Sequence, residues 1–329
     1  MSNRLEKFKA VLNQLGAEKK AFFFLIDFEM QKPFVCELSQ LERENIFLKT
    51  PDFQQEDFTN NLFENDFEIS AIPFQTYKKA IKYVMKEIHY GNSYLVNLTF
   101  PSLIKTNNSL KNIFSNAKSP YKLFFKNQFV SFSPETFIKI KENTIYSFPM
   151  KGTIDASIPG AVSKIMKNEK EKNEHHTIVD LIRNDLSMVA DRVEVTRFRY
   201  VDEIKTNRKH LYQISSEITG ELDSNWHKNI GDILLKLLPA GSISGAPKQK
   251  TIEIIQKAEI DKRGYYTGVF GIFDGENLDS AVNIRYIEKE GNHLIYRSGG
   301  GITAQSDIKE EYNELIDKIY VPIDGNNQN

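Results

Sequence analysis

Apolar residues first recur at Leu5, Phe8, Leu12 and Leu15, the three-and-four spacing of one helix face, and Gly16 follows as a stop. The pattern predicts an amphipathic helix over residues 3 to 15. The period then changes. "AFFFLIDF" is a continuous apolar run of strand length, whereas residues near 50 to 70 mix Gln, Asn, Asp and Phe with little period and read as loops. Tyr77, Ile81, Val84 and Ile88 restore the helical repeat until Gly91. "SYLVNLTF", "KLFFK", "QFVSF", "TFIKI" and "TIYSF" then read as strands divided by short polar turns, so neighbouring strands should pair antiparallel. Residues 162 to 189 are helical in pattern, 192 to 204 are β-rich, and 226 to 238 are helical again. Pro247 suits the first position of a further helix with Ile252, Ile255 and Ala258 on one face. Three β-rich runs, "YTGVFGIFD", "LDSAVNIRYIE" and "HLIYRS", precede "GGGIT" and a last helix from about 307 to 319.

No repeat, low-complexity segment or Pro- or Ser-rich linker interrupts this series, which favours one α+β unit of antiparallel sheets with peripheral helices. At 329 residues the chain is long enough to bury a reaction site from water. Its 43 basic and 44 acidic side chains balance, so no field of one sign points to nucleic acid or an anionic membrane. Any anionic ligand must be held by local charges. Cys36 is the single cysteine, which excludes internal disulfides and paired-cysteine metal sites and fits a reducing compartment, the cytoplasm by default. The early apolar run is far shorter than the roughly 20 residues of a membrane span. A soluble intracellular protein is expected.

Several stretches carry candidate chemistry. Glu311, Glu314 and Lys318 share one face of the last helix, opposite Ile308, Tyr312, Leu315 and Ile319. Alone they read as a solvated ion-pair stripe. "SGGGI" just before that helix changes the weighing, because consecutive glycines let backbone amides approach an anion. "PAGSISGAPK" is no phosphate loop, since Ala246 and Pro247 stand where Gly-Lys-Ser/Thr would end one. In "EHHTIVDLIRND" the adjacent His175 and His176 diverge on a helix and have no third ligand nearby, which argues against zinc.

"FSPETF", "PMKGT", "EHHTIVDLIRND", "GSISGAPK", "YTGVFG", "AVNIR", "SGGGI" and "EEYNELIDK" occur in the order and approximate spacing of the chorismate-utilising enzymes. The chain resembles that family from about residue 75 to its C-terminus. Residues 1–70 resemble a shortened variable N-terminal part integrated with the fold, and 71–322 a chorismate-binding catalytic domain. The resemblance implies an anthranilate synthase component I-like fold, with antiparallel sheets packed together, helices outside and an active-site cleft between them. It also implies Mg²⁺ held by Glu174 and Glu314, with Glu311 close, a ligand set of oxygens that suits this hard cation. Lys318 and the turn at Gly152 and Thr153 would assist the metal in holding the ring carboxylate of chorismate. Arg285 would take the enolpyruvyl carboxylate as a planar fork, completed by Tyr266 and the amides around Gly299 and Gly301.

Position 151 discriminates among the family's reactions. Anthranilate synthases resemble Pro-Ile-Ala-Gly-Thr here, aminodeoxychorismate synthases Pro-Ile-Lys-Gly-Thr, and this chain has Lys151. Leu95 stands where isochorismate and salicylate synthases place a water-activating lysine. The implied reaction is chorismate plus ammonia to 4-amino-4-deoxychorismate, with Lys151 as covalent nucleophile and Glu135 as acid–base carboxylate. Such an amine must be neutral, so burial and nearby positive charge should lower its pKa. Gln213 replaces a histidine common in relatives, and Leu95 a glutamine common in amide-transferring ones. No glutaminase signature is present, so a separate glutamine amidotransferase subunit is the expected ammonia source. Two alternatives remain: anthranilate synthase component I, and a catalytically silent chorismate-binding subunit.

Overall fold

The computed structural model describes residues 3–55, 63–64, 66–205 and 210–323. Two sheets dominate, and every strand pairing in them is antiparallel. The first runs in the order Met150–Asp155, His210–Glu221, Thr144–Ser147, Thr136–Lys141, Leu278–Val282, Val269–Phe273, Phe22–Ile26 and Phe34–Glu37, with Asp191–Lys205 paired to His210–Glu221. The second runs Gly245–Ala246, Leu95–Lys105, His293–Ile302, Tyr286–Glu290, Phe129–Ser133, Tyr121–Phe125 and Ile46–Lys49, with Glu68–Ser70 added to Leu95–Lys105.

The strand Phe22–Ile26 shows why "AFFFLIDF" lacks alternation. Phe22, Phe24 and Ile26 join a core with Leu5, Phe8, Leu12 and Trp226, while Phe23 and Leu25 join Leu123, Phe125 and Phe129 of the second sheet. Both faces are covered, so both must be apolar. The N-terminal helix Asn3–Ala17 packs on the helix Ile230–Leu237, and the strand that follows it pairs with Val269–Phe273. Gly16 therefore does more than stop a helix: it lies within it, where an added Cβ would come 2.1 Å from His227 O.

Other boundaries differ from the periodic reading in specific ways. The helical stretch after residue 160 is two helices, Ala161–Lys167 and Glu169–Leu186, because the Asn168 side chain accepts from Glu171 N and caps the second. Pro247 is the cap of Lys248–Ala258 rather than its first turn, and the buried face there is Thr251, Ile254, Ile255 and Ala258, not Ile252. Within 50 to 70, Glu68–Ser70 is an edge strand, and residues 56–62 and 65 lie outside the described residues. Asp307 caps the last helix, Ile308–Asp317, by accepting from Lys309 N and Glu310 N. No helix among the described residues is long and apolar enough to cross a membrane.

Candidate active site

A cavity of about 550 Å³ is lined from both sheets, from the helix Glu169–Leu186 and from the last helix. It collects every candidate named from the sequence: Lys151, Gly152, Thr153 and Glu174 on one side, Glu135, Tyr266 and Arg285 on another, and Gly299, Gly301, Glu311, Glu314 and Lys318 on a third.

Lys151 reaches this space through an irregularity in its strand. Met150 pairs with Ser215 and Thr153 with Gln213, so three steps on one strand meet two on its neighbour. That is a β-bulge. Gly152 takes φ +80° within it, a left-handed backbone that a residue with a Cβ resists. The expected Gly-Thr turn is thus corrected to a bulged strand, Met150–Asp155, whose extra residue leaves Lys151 and Gly152 both lining the cavity. Lys151 Nζ lies 2.8 Å from Glu174 Oε2. Burial is the largest single influence on this amine and works to lower its pKa, but Glu174, with Glu171 and Glu314 behind it, prevails and holds the ammonium above its ordinary value. Burial acts in the expected direction, and these carboxylates oppose it.

Two of those carboxylates, Glu174 and Glu314, are candidate metal ligands. Lys318 Nζ sits 2.6 Å from Glu314 Oε1 and also donates to Gly299 O at 3.0 Å. Ser306 Oγ donates to Glu311 Oε1 at 2.7 Å, and Glu311 is buried. Among the described residues no three His, Cys, Asp or Glu side chains converge as a formed metal site. The donor chemistry nonetheless fits a hard divalent cation, since Glu171 joins the three expected acids along the wall and all four offer only carboxylate oxygens. The bare Cα of Gly300 faces two of these acids: an added Cβ would stand 3.5 Å from Glu311 Oε2 and 3.7 Å from Glu314 Oε1.

The glycine run itself is not an anion loop. Gly299, Gly300 and Gly301 lie inside the strand His293–Ile302, opposite Thr99, Leu98 and Asn97. Backbone groups at these positions belong to a sheet ladder, and the missing side chains are what matter. A Cβ on Gly301 would be 3.1 Å from Leu95 Cδ1 and 3.6 Å from Lys151 Nζ.

Also in the cavity wall, Arg285 adopts φ +51°, and its buried Nε has no hydrogen-bond partner among the described residues. Its guanidinium lies over the Tyr320 ring, 5.0 Å from the centroid. Tyr266 is buried nearby, and burial pushes its hydroxyl up to about 12. Glu135 accepts from Ser242 Oγ. Burial raises its carboxyl above the usual range, against the opposing pull of Ser242, Arg285, Lys151 and Lys318.

Periodicity did not single out Glu171, Ser242 or Tyr320. Only Glu171 left a signal, its position one helical turn before Glu174. Gln213, marked as a departure, lines the cavity and donates to Met150 Sδ at 3.2 Å. His175 is buried against Ser216 Oγ at 2.6 Å, and His176 packs on Phe198. Cys36 is buried, and burial pushes its thiol up to about 11.

Known proteins share this architecture. Anthranilate synthase component I of Streptococcus pneumoniae aligns with a TM-score of 0.67 at 25% identity, over 77% of this chain and 58% of that one. The menaquinone-specific isochorismate synthase of Escherichia coli aligns at 0.69 with 14% identity, over 95% and 80%. In sequence, an uncharacterised PabA-like protein of Pasteurella multocida is 50% identical over 97% of this chain and 99% of its own length. Anthranilate synthase component 1 of Archaeoglobus fulgidus is 33% identical over 74% of this chain, and aminodeoxychorismate synthase component 1 of Klebsiella aerogenes 30% identical over 74%. The match spans 61% and 56% of those two longer relatives. Residues 10–324 match the chorismate binding enzymes, and with nearly the whole chain covered the protein belongs to that family.

Proposed function

We propose that the chain acts as aminodeoxychorismate synthase component I, converting chorismate and ammonia to 4-amino-4-deoxychorismate and water, a step toward 4-aminobenzoate and folate. The observation that carries this reading is the bulge that sets Lys151 in the same cavity as Arg285, Glu135 and the acidic wall. Arg285 takes the enolpyruvyl carboxylate, with Tyr266 beside it. Lys318 and Thr153 serve the ring carboxylate, with Gly152 beside them, and Gly299 and Gly301 line the enolpyruvyl end. Glu174, Glu314 and Glu311 would hold Mg²⁺, which supplies positive charge against the ring carboxylate when bound.

The attacking amine must first lose a proton, and Glu174, its partner at 2.8 Å, is the nearest base. Lys151 Nζ then bonds to ring C2 as the C4 hydroxyl leaves. Glu135, whose carboxyl burial keeps toward the neutral form, gives that hydroxyl a proton and releases water. Ammonia bonds to C4, the C2–Nζ bond breaks, and Lys151 is restored. Ammonia comes from a separate glutamine amidotransferase subunit, so the purified chain should use ammonium but not glutamine.

Incubation with chorismate, Mg²⁺ and an ammonium salt, followed by chromatography, tests the reading. 4-Amino-4-deoxychorismate is the expected product. Anthranilate would assign the chain to the other aminating branch, and bound but unconverted chorismate would make it a silent subunit.

A further inference from the structure

A second, much smaller cavity of about 30 Å³ lies beside the first. Phe137, Ile138, Ile182, Leu186 and Leu237 give it a mainly apolar lining, and Asp185 stands in its wall. It holds roughly one or two water-sized molecules and is far too small for chorismate. Glu135 and Ser242 line both cavities, and the hydrogen bond from Ser242 Oγ to Glu135 Oε1 stands at their common wall. Asp185 is paired with Lys248 Nζ at 2.9 Å, so its charge is already met.

We propose that this small cavity is where the reaction's nitrogen is taken up as ammonium and deprotonated by Glu135 before it attacks. The inference rests on the amination reading above. Loss of the C4 hydroxyl as water leaves Glu135 as a carboxylate. An ammonium ion beside it gives up one proton, so that Glu135 is again a carboxylic acid and the nitrogen has a free electron pair. That pair forms the C4–N bond while the C2–Nζ electrons return to Lys151. The acid is regenerated in each turnover and no further reactant is needed. Entering beside the Glu135 carboxylate, the ammonium forms an ion pair, and the apolar lining disfavours that pair relative to neutral ammonia and a carboxylic acid, which drives the proton from nitrogen to Glu135.

Ile182 is nearly buried on the helix Glu169–Leu186 and lines the small cavity but not the large one, so it can be changed in both directions. Initial rates are measured with the whole chain and Mg²⁺, varying ammonium at saturating chorismate and then the reverse. Ile182→Phe, which fills the space, should raise the KM for ammonium about tenfold while the KM for chorismate stays within about twofold. Ile182→Ala, which enlarges it, should let methylamine replace ammonium and give an N-methylated product that the wild type does not form. If Ile182→Phe does not fold, the methylamine result alone decides. An unchanged ammonium KM together with no use of methylamine overturns the proposal and sends the nitrogen through the chorismate cavity. Amination at ring C2 in the wild type would sink the parent reading, yet the same two variants would still judge the cavity. No aminated product at all would remove both.

Discussion

Lys151 Nζ and Glu174 Oε2 stand 2.8 Å apart, which joins the candidate nucleophile directly to a candidate metal ligand. Lys151→Ala should reduce aminodeoxychorismate formation by roughly three orders of magnitude or more, as expected when a covalent nucleophile is removed. Chorismate binding, measured by calorimetry with Mg²⁺ present, should persist because Arg285, Lys318 and the glutamates that would hold the metal remain. Lys151→Arg should not restore turnover, since a guanidinium does not give up its proton. Mass spectrometry of the wild type with chorismate and no ammonia should find an adduct on the peptide containing Lys151. A Lys151→Ala rate close to wild type would reduce the lysine to a positioning charge.

Glu314 pairs with Lys318 and lies beside the bare Cα of Gly300. Glu314→Gln keeps the shape but removes an anionic oxygen, so turnover at low Mg²⁺ should fall by about 100-fold or more without loss of thermal stability. Rates titrated against MgCl₂ check this. Near-normal activity at low Mg²⁺ would return Glu314 to a surface stripe.

Tyr320 is half-exposed at the cavity edge and covers the guanidinium of Arg285. Stacking of this kind contributes on the order of 1 kcal/mol, so Tyr320→Ala should raise the KM for chorismate about fivefold with little change in kcat. Tyr320→Phe should behave like wild type. Equal losses from both variants would mean that the hydroxyl, not the ring face, is what counts.

Glu135 offers a stability test separate from catalysis. Its carboxyl is raised in the folded state by burial, so the protonated form is the one the fold favours. The associated stability is fully present below the ordinary carboxylate value and is lost as pH rises through the raised one. Glu135→Gln is permanently neutral and should therefore raise Tm by roughly 1–3 °C at pH 8 and not at pH 4, while abolishing turnover. Equal gains at both pH values in thermal scans would point to packing instead of charge.

The sequence by itself determined a good deal here. The helix at the N-terminus, the β-rich runs and the last helix are legible because 3.6- and 2-residue periods report which side of an element is buried. The ordered motifs located Lys151, Arg285 and the glutamates, and all of them line one cavity. Tertiary structure decided the rest. Whether "SGGGI" is a loop or a strand depends on Leu95–Lys105 lying beside it, and whether "MKGT" is a turn or a bulge depends on register with His210–Glu221. The surroundings of Lys151 were hidden from the sequence for the same reason. Burial acts first on its amine, and against it stand Glu174, Glu171 and Glu314, which approach from two other elements; no local period records distances across such a sequence gap. Ser242 and Glu135 meet across 107 residues to divide the large cavity from the small one, a contact that exists only once both sheets and their helices have closed around them.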